Sequence, residues 1–406
     1  MNSNPRGVQT PPRPQPQRQS PTRQPVRQPQ HSLASVSTGF WVVFSATLLL
    51  LAAMIIALTV TLCIADEPSG ANGPSGGGQS QVDNNHQEEP TPTPVRSTKT
   101  GISLPCATKA GTYLYDTSAA TDISGDPDIQ SRAAALINVT EGKAVASKNG
   151  SAPIAPASMT KVMTVLLACE KATDPNALLT VTDEMVTKYA STGGGSVGVT
   201  EWKAGEQMTV EDALYLAIYQ SDTYACWLLA EHIAGSEAAF AQMMTARARE
   251  LGCSENTNFV NSTGLEDPNH KTTCFDLAAI MAAAMNNEAA YKILTSYDLY
   301  TFDLYVNGAK TRSISWYPAW CEERLKLYGY PQTAWYYAGN RSDIRILAGK
   351  TGYETSAGNC FVTAGQITDD SGALTGNIYV CVQAGAASPR EATYDTRKIY
   401  QKHAKD

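Results

Sequence analysis

An uncharged apolar run, FWVVFSATLLLLAAMIIALTVTLCIA at residues 40–65, divides the chain into two parts that meet different environments. The run is about 26 residues long, which allows a helix to cross the hydrocarbon core of a bilayer with some tilt. The apolar core of a cleaved secretory signal is shorter, roughly 7–15 residues. We therefore expect an uncleaved membrane anchor, a transmembrane helix over residues 38–65.

Charges are distributed unequally on the two sides of this run. The residues before it carry arginines and no acidic residue, whereas Asp66 and Glu67 follow it directly. By the positive-inside rule the N-terminus is then cytoplasmic, and the larger part of the chain is extracytoplasmic. The sequence thus predicts a single-pass protein of the cell membrane. The formal net charge of −7 argues against a nucleic-acid partner.

Composition suggests four regions. Residues 1–37 are rich in Pro, Gln and Arg, which predicts a disordered basic tail. The span at 38–65 is followed by a Gly-, Ser- and Pro-rich stretch at 66–105, which predicts a flexible extracytoplasmic linker. Residues 106–406 have the mixed pattern of a globular domain, and we expect the function to lie there.

Eight of the nine cysteines follow the apolar run. An even number in an oxidising compartment permits disulfides. Buried free thiols are the alternative, above all for Cys169 and Cys226 in apolar helical stretches. We expect Cys360 and Cys381 to lie opposite each other on antiparallel strands, because both are about ten residues from the middle of the loop between them. No Cys-x-x-Cys or His-Glu-x-x-His pattern occurs, so we expect neither a metal site nor a cofactor.

Hydrophobic periodicity predicts an α/β (α+β) domain. Residues 133–148 alternate around Glu141-Gly142 as in a hairpin, and strands are predicted near the C-terminus before a closing helix at 388–403. We expect an antiparallel sheet built from both ends of the domain, with a helical subdomain inserted between them. The predicted helices are 209–220, 224–235, 237–252 and 274–287, and the late strands are 344–352, 359–367 and 377–386. Residues 288–345 have a mixed pattern.

The stretch APASMTKVMTVLLACE at 155–170 places a serine and a lysine in apolar surroundings. Ser158 and Lys161 are three residues apart, so they share one face of a helix. A lysine among apolar neighbours is costly unless it is neutral or paired. A neutral lysine is a base that activates a serine nucleophile, although a serine in this position is also a common helix N-cap.

Two further motifs follow in the chain. Ser221-Asp222-Thr223 lies between two predicted helices, and Lys350-Thr351-Gly352 lies on a predicted strand. Ser-x-x-Lys, Ser-Asp-Asn and Lys-Thr-Gly, in this order, are used by penicillin-binding proteins and class A β-lactamases. A second Lys-Thr-Gly at residues 99–101 precedes the serine and has no strand around it. Ser254-Glu255-Asn256 remains an alternative second motif.

Longer segments carry the same signal. The chain resembles the D-alanyl-D-alanine carboxypeptidases of serine peptidase family S11, low-molecular-mass penicillin-binding proteins, over residues 130–290 and 344–402. The segments that carry the resemblance are LINVTEGKAVASKNGSAPIAPASMTKVMT, SVGVTEWKAGEQMTVEDALYLAIYQSDTYACWLLAEHIAGSEAAF, FVNSTGLEDPNHKTTCFDLAAI and LAGKTGYETSAGNCFVTA. The resemblance implies the β-lactamase/transpeptidase-like fold and removal of the terminal D-alanine from peptidoglycan stem peptides, with β-lactams as inhibitors.

Roles follow from this resemblance together with serine peptidase chemistry. Ser158 is expected to form the acyl-enzyme, Lys161 to take its proton, and Ser221 to relay a proton to the leaving amine. The expected substrate-binding residues are Thr223, Lys350, Thr351, Gly352 and Tyr353. Among them the lysine and Thr351 would bind the terminal carboxylate, and the backbone N–H of Tyr353 would form the oxyanion hole with that of Ser158.

One departure leaves other functions open. Thr223 stands where the family has asparagine, which predicts a weakened enzyme and is the sole support for an inactive penicillin-binding module. A class A-like β-lactamase is a further alternative, but no Glu-x-x-Leu-Asn segment follows Ser221. The aromatic-rich segment 310–340 is expected to pack in the core, with stacking on glycan sugars as the alternative.

Overall fold

The structure is a computed structural model that describes residues 101–405, with gaps at residue 112, at 193–201, at 321–343 and at residues 370 and 372. The predicted tail, the predicted transmembrane helix and nearly all of the predicted linker lie outside the described residues. Among the residues that are described, no helix has the length and apolar character needed to cross a bilayer.

The described chain begins with three strands, continues with helices and two short strands, and ends with five strands and a helix. The strands are β1 (Thr121–Asp122), β2 (Ala133–Asn138), β3 (Lys143–Lys148), β4 (Leu178–Thr180), β5 (Glu206–Thr209), β6 (Tyr300–Val306), β7 (Ala309–Trp316), β8 (Ile344–Glu354), β9 (Gly358–Thr368) and β10 (Leu374–Ala386). The helices are α1 (Lys161–Lys171), α2 (Asp183–Ser191), α3 (Val210–Tyr219), α4 (Thr223–Ala234), α5 (Glu237–Glu250), α6 (Cys274–Met285), α7 (Glu288–Thr295) and α8 (Pro389–His403).

The main sheet has the strand order β1-β3-β2-β10-β9-β8. Its strands come from the start and the end of the described chain, with α1 to α7 between them, as the sequence predicted. All pairs are antiparallel except the short β1–β3 pair, which is parallel. Every residue of β2 is buried, because one face of the sheet packs on the helical core and the other on α8.

A second sheet, β4-β5-β6-β7, was not predicted. Its β6–β7 hairpin lies in the part of the chain whose pattern was mixed. The turn between these strands is Asn307-Gly308, and both residues have positive φ angles, +49° and +76°. Asn-Gly between strands is the sequence signature of a tight hairpin turn, so the signal was present and was overlooked.

The four predicted helices in the middle of the chain are confirmed as α3, α4, α5 and α6 to within a few residues, and the closing helix as α8. The first helix begins differently from the prediction. Residues Ala157–Thr160 form a 3-10 turn, and α1 follows from Lys161. The turn has Pro156 at its N-cap position and no side-chain cap hydrogen bond. Ser158 is therefore not a capping residue, and its hydroxyl is free of that role.

The expected opposition of Cys360 and Cys381 is wrong. Cys381 pairs with Thr363, and Phe361 pairs with Gln383. A register irregularity between Leu374 and Ile378, just after the loop, shifts the β9–β10 pairing away from a symmetric hairpin. The two cysteines also belong to different core clusters. All cysteines in the described part of the chain are free thiols: Cys106, Cys169, Cys226, Cys253, Cys274, Cys360 and Cys381.

Candidate active site

Ser158 and Lys161 form the first element of the site. The ammonium nitrogen Nζ of Lys161 lies 3.0 Å from Ser158 Oγ and 2.6 Å from the carbonyl oxygen of Thr263. Lys161 is 1% exposed, whereas Ser158 is only partly buried. Burial lowers the pKa of Lys161, and nearby acidic groups such as Asp222 and Glu354 act in the opposite direction. A lysine with a lowered pKa and a partly open serine beside it are the parts of a base–nucleophile pair.

Ser221 and Lys350 form the second element. Lys350 Nζ lies 3.0 Å from Ser221 Oγ and 2.7 Å from the carbonyl oxygen of Thr351, and Lys350 is 1% exposed. Ser221 occupies the left-handed region with φ +58°, which costs a residue with a Cβ about 1–2 kcal/mol. Such strain is retained where the surrounding structure requires one position for a side chain.

The two residues after Ser221 are wholly buried. Asp222 is the N-cap of α4: its Oδ1 accepts from the backbone N–H of Ala225 at 2.8 Å, and its Oδ2 accepts from Trp202 Nε1 at 3.1 Å. Asp222 thus fixes the start of α4 directly behind Ser221. Thr223, the first residue of the helix, is 0% exposed, and its contact with a substrate stays a prediction.

The alternative second motif has a different setting. Ser254 Oγ donates to Asp276 Oδ2 at 2.6 Å, and the Ser254 N–H donates to Asp276 Oδ1 at 3.0 Å. These bonds connect the segment after α5 with α6, where Asp276 also accepts from Thr257. The structure therefore assigns Ser254 a structural contact, while it is Ser221 that lies beside the Lys350 amine.

Strand β8 lies against the Ala157–Thr160 turn at Gly352. A Cβ on Gly352 would be 3.0 Å from the backbone nitrogen of Ser158 and 3.1 Å from the Cβ of Ala157. Gly352 was expected among the substrate-binding residues, and the structure shows that the turn containing Ser158 also approaches it closely. Tyr353 is the next residue on β8, with a side chain 62% exposed. The predicted oxyanion donors, the N–H groups of Ser158 and Tyr353, therefore belong to two adjoining segments.

A loop at residues 261–265 supports the site and had been given no role from sequence. Its fold is held by the Asn261 side chain, whose Oδ1 accepts from Gly264 N at 2.7 Å and whose Nδ2 donates to the Leu265 carbonyl at 3.0 Å. In this loop the Thr263 carbonyl accepts from the Lys161 amine. The Ser262 carbonyl accepts from the Thr164 hydroxyl at 2.6 Å. The amine is thereby held in place by an acceptor more than one hundred residues away in sequence.

His270 is a second residue whose role sequence reasoning missed. It is 2% exposed, and its Nε2 lies 2.8 Å from the hydroxyl of Thr160, one residue before Lys161. The segment containing it was part of the family resemblance. No local pattern, however, could have joined two residues that are 110 positions apart.

Taken together, the geometry provides a buried amine beside a partly open hydroxyl and a second serine–lysine pair. Acyl transfer through serine with a lysine base is a recognised variant of triad chemistry. Within the described residues, no group of His, Cys, Asp or Glu side chains is arranged to hold a metal ion.

The sequence is similar to known D-alanyl-D-alanine carboxypeptidases. A family model described as D-alanyl-D-alanine carboxypeptidase matches residues 119–372. The chain is 35% identical over 171 residues to the D-alanyl-D-alanine carboxypeptidase DacF of Bacillus subtilis, covering 42% of this chain and 43% of that protein. It is 31% identical over 166 residues to the carboxypeptidase DacC of Escherichia coli, covering 40% and 41%. The matches thus span less than half the length of these relatives.

Solved structures show the same fold. The crystal structure of the Streptomyces K15 DD-transpeptidase superposes with a TM-score of 0.55 and 21% sequence identity, covering 67% of this chain and 96% of that chain. The six-stranded sheet and the helices between its strands are therefore the DD-transpeptidase fold, which agrees with the fold that the resemblance implied.

Proposed function

The chain belongs to serine peptidase family S11, the D-alanyl-D-alanine carboxypeptidases, and from this we propose that it removes the terminal D-alanine of peptidoglycan stem peptides through an acyl-enzyme on Ser158. The observation that carries the proposal is the 3.0 Å approach of a buried Lys161 amine to the Ser158 hydroxyl. Because burial lowers the pKa of this amine, the neutral form that accepts a proton becomes accessible.

In the acylation step, Ser158 Oγ attacks the carbonyl carbon of the peptide bond between the two D-alanines. Neutral Lys161 accepts the hydroxyl proton as the new C–O bond forms. The backbone N–H groups of Ser158 and Tyr353 donate to the oxyanion of the tetrahedral intermediate. The C–N bond then breaks, and the departing D-alanine needs a proton on its nitrogen.

Ser221 relays this proton in the proposed sequence: it gives its hydroxyl proton to the departing nitrogen and takes back the proton that Lys161 accepted, while its oxygen accepts a hydrogen bond from the Lys350 amine. Lys350 and Thr351 bind the terminal carboxylate of the substrate, as a cation and a hydroxyl suit an anion. Thr223 contacts the substrate at the start of α4. Water then attacks the ester carbon and gives a proton to neutral Lys161, the C–Oγ bond breaks, and Lys161 returns that proton to Ser158 Oγ.

Position in the cell is a further part of the proposal. The apolar stretch 40–65 anchors the protein in the cell membrane with an extracytoplasmic catalytic domain, and the linker lets that domain reach the cell wall. Stem peptides ending in D-Ala-D-Ala are the proposed substrates and β-lactams the proposed inhibitors.

Release of D-alanine tests the reaction. The full-length protein in detergent is incubated with a synthetic peptide ending in D-Ala-D-Ala, and free D-alanine is measured against Ser158→Ala. We expect release by the wild-type protein alone. Formation of a lasting penicillin adduct without any D-alanine release would identify an inactive penicillin-binding module. Rapid repeated hydrolysis of penicillin would identify a β-lactamase.

A further inference from the structure

A chain of hydrogen bonds runs from His270 to the residue before the nucleophile. The backbone N–H of Val260 donates to His270 Nδ1 at 3.1 Å. On the other side of the ring, Nε2 lies 2.8 Å from Thr160 Oγ1, and the Thr160 hydroxyl donates to the carbonyl oxygen of Ala157 at 2.8 Å. Because the Thr160 hydroxyl donates its proton to the Ala157 carbonyl, its oxygen must accept a hydrogen bond from the Nε2–H of His270. The imidazole is therefore the neutral tautomer protonated at Nε2.

Burial favours this neutral form. Desolvation lowers the pKa of His270 to about 4; the Asp267 carboxylate acts against this shift, and the Lys161 amine acts with it whenever it is protonated. At neutral pH the three hydrogen bonds therefore share one direction: Val260 donates to His270, His270 donates to Thr160, and Thr160 donates to Ala157.

The Ala157 carbonyl, where this series of hydrogen bonds ends, belongs to the same peptide unit as the Ser158 N–H. A trans peptide is planar, and its C=O and N–H point in opposite directions. Fixing the Ala157 oxygen therefore fixes the direction of the Ser158 N–H. Ala157 has φ +47°, an unfavourable conformation for alanine, so this peptide plane needs support to stay where it is.

The opposite end of this peptide unit is open. In the described part of the chain the Ser158 N–H donates to no protein acceptor, although the carbonyl on the other side of the plane is bonded. A Cβ on Gly352 would come within 3.0 Å of the Ser158 nitrogen, so this nitrogen faces strand β8, which carries the other predicted oxyanion donor.

We propose that Thr160 and His270 are positioning residues of the oxyanion hole, which hold the Ala157–Ser158 peptide so that the Ser158 N–H is aimed at the reacting carbonyl. Neither residue touches the substrate. The inference rests on the proposed function, because it presupposes an acyl-enzyme on Ser158. It adds that the strength of the oxyanion hole depends on a hydroxyl and an imidazole behind it.

Thr160→Val tests this proposal because it keeps the shape of the side chain and removes the hydroxyl, whereas Thr160→Ser keeps the hydroxyl. The full-length variants are acylated with penicillin whose carbonyl carbon is isotopically labelled, and two quantities are measured. These are the acylation rate and the infrared band of the ester carbonyl. A weaker oxyanion hole polarises the ester less, so the band moves to higher wavenumber.

We expect Thr160→Val to acylate roughly 10- to 100-fold more slowly, less than the loss of a whole oxyanion donor, with the ester band at higher wavenumber. Thr160→Ser should keep the wild-type band and a near-wild-type rate. His270→Phe, which keeps a ring and removes both hydrogen bonds, should lie between them. A purely structural role would change the melting temperature and leave the ester band in place.

A wild-type ester band and a wild-type rate in Thr160→Val would overturn the inference. If Thr160→Val does not fold, the same two readings on His270→Phe decide the question. An absence of any penicillin adduct in the wild-type protein would instead refute the proposed function, so the two failures are distinguishable.

Discussion

Gly264 lies so close to Ala157 that a Cβ on the glycine would be 1.9 Å from the Ala157 carbonyl oxygen and 3.0 Å from Ser158 N. The same oxygen accepts a hydrogen bond from the Thr160 hydroxyl. The peptide that joins Ala157 to Ser158 is thus enclosed between Gly264 of the 261–265 loop and the Thr160 side chain. Gly264 also has φ +82°, so both the backbone conformation and the available space require a glycine here.

Replacing Gly264 with alanine should therefore impair the site as well as the fold. The strained φ costs about 1–2 kcal/mol, and the collision with the backbone adds about 1–3 kcal/mol. We expect penicillin acylation to fall by at least about tenfold, because Ala157 and Ser158 must move. Urea unfolding and acylation kinetics measure the two effects.

Gly235→Ala is the matched control. Gly235 has φ +74°, and a Cβ there would meet no atom within 4 Å. It should lose about 1–2 kcal/mol of stability and acylate at the wild-type rate. Equal acylation by the two variants would contradict the proposed contact between the loop and the nucleophile turn.

Ser221 offers a test in which two variants differ in stability and lose activity alike. Its φ of +58° is costly for serine and for alanine and favourable for glycine. We expect Ser221→Gly to be about 1 kcal/mol more stable than Ser221→Ala. Both variants should lose D-alanine release, since both lack the hydroxyl that is hydrogen-bonded to the Lys350 amine. Ser254→Ala, whose hydroxyl contacts Asp276 instead, should retain release. Loss of release in Ser254→Ala alone would assign the second motif to Ser254.

The role of Lys161 predicts a pH dependence with a definite sign. Acylation needs the neutral amine. The acylation rate should therefore be low below the pKa of Lys161, which burial lowers, and should rise as the pH passes through that pKa. Lys161→Arg stays protonated and should lose roughly 10²–10⁴-fold at every pH, without that acidic limb. The carboxylates whose charges act on this titration are Asp222, Glu354 and Glu237, whereas burial raises the pKa of the Cys226 thiol to about 12 and keeps it neutral. An arginine variant with the wild-type rate and profile would exclude Lys161 as the base.

Thr223→Asn tests the departure from the family motif. An asparagine amide donates to a substrate carbonyl and accepts from a lysine at the same time, whereas a threonine hydroxyl is shorter and has one proton. We expect a several-fold faster release of D-alanine. Thr223 is wholly buried, so the larger side chain should also cost about 1–3 kcal/mol of stability. An unchanged or slower rate in the folded variant would show that residue 223 does not contact the substrate.

Sequence alone predicted the elements whose signal is local. The apolar periods of α3, α4, α5 and α6, the apolar run of β2 and the alternation of β3 are strong because these elements are buried on one face or throughout. Ser158 and Lys161 were found together because a helical turn brings residues three apart into contact.

The parts that were missed depend on distant residues or on irregular backbone. The register of β9 and β10 is set by a bulge near Leu374, which no hydrophobic pattern records. The Thr160–His270 bond and the Lys161–Thr263 contact join segments about one hundred residues apart. Cys360 and Cys381 were misplaced because the β9–β10 register is irregular, and the supporting loop at 261–265 was missed because its contacts are distant in sequence.

The site of penicillin acylation tests the central claim most directly. The full-length protein is treated with penicillin, digested with protease, and the modified peptide is sequenced by mass spectrometry. We predict one adduct, on Ser158, present in the wild-type protein, absent from Ser158→Ala and strongly reduced in Lys161→Ala. An adduct on a peptide that lacks Ser158, or an undiminished adduct in Ser158→Ala, would contradict the assignment of Ser158 as the nucleophile.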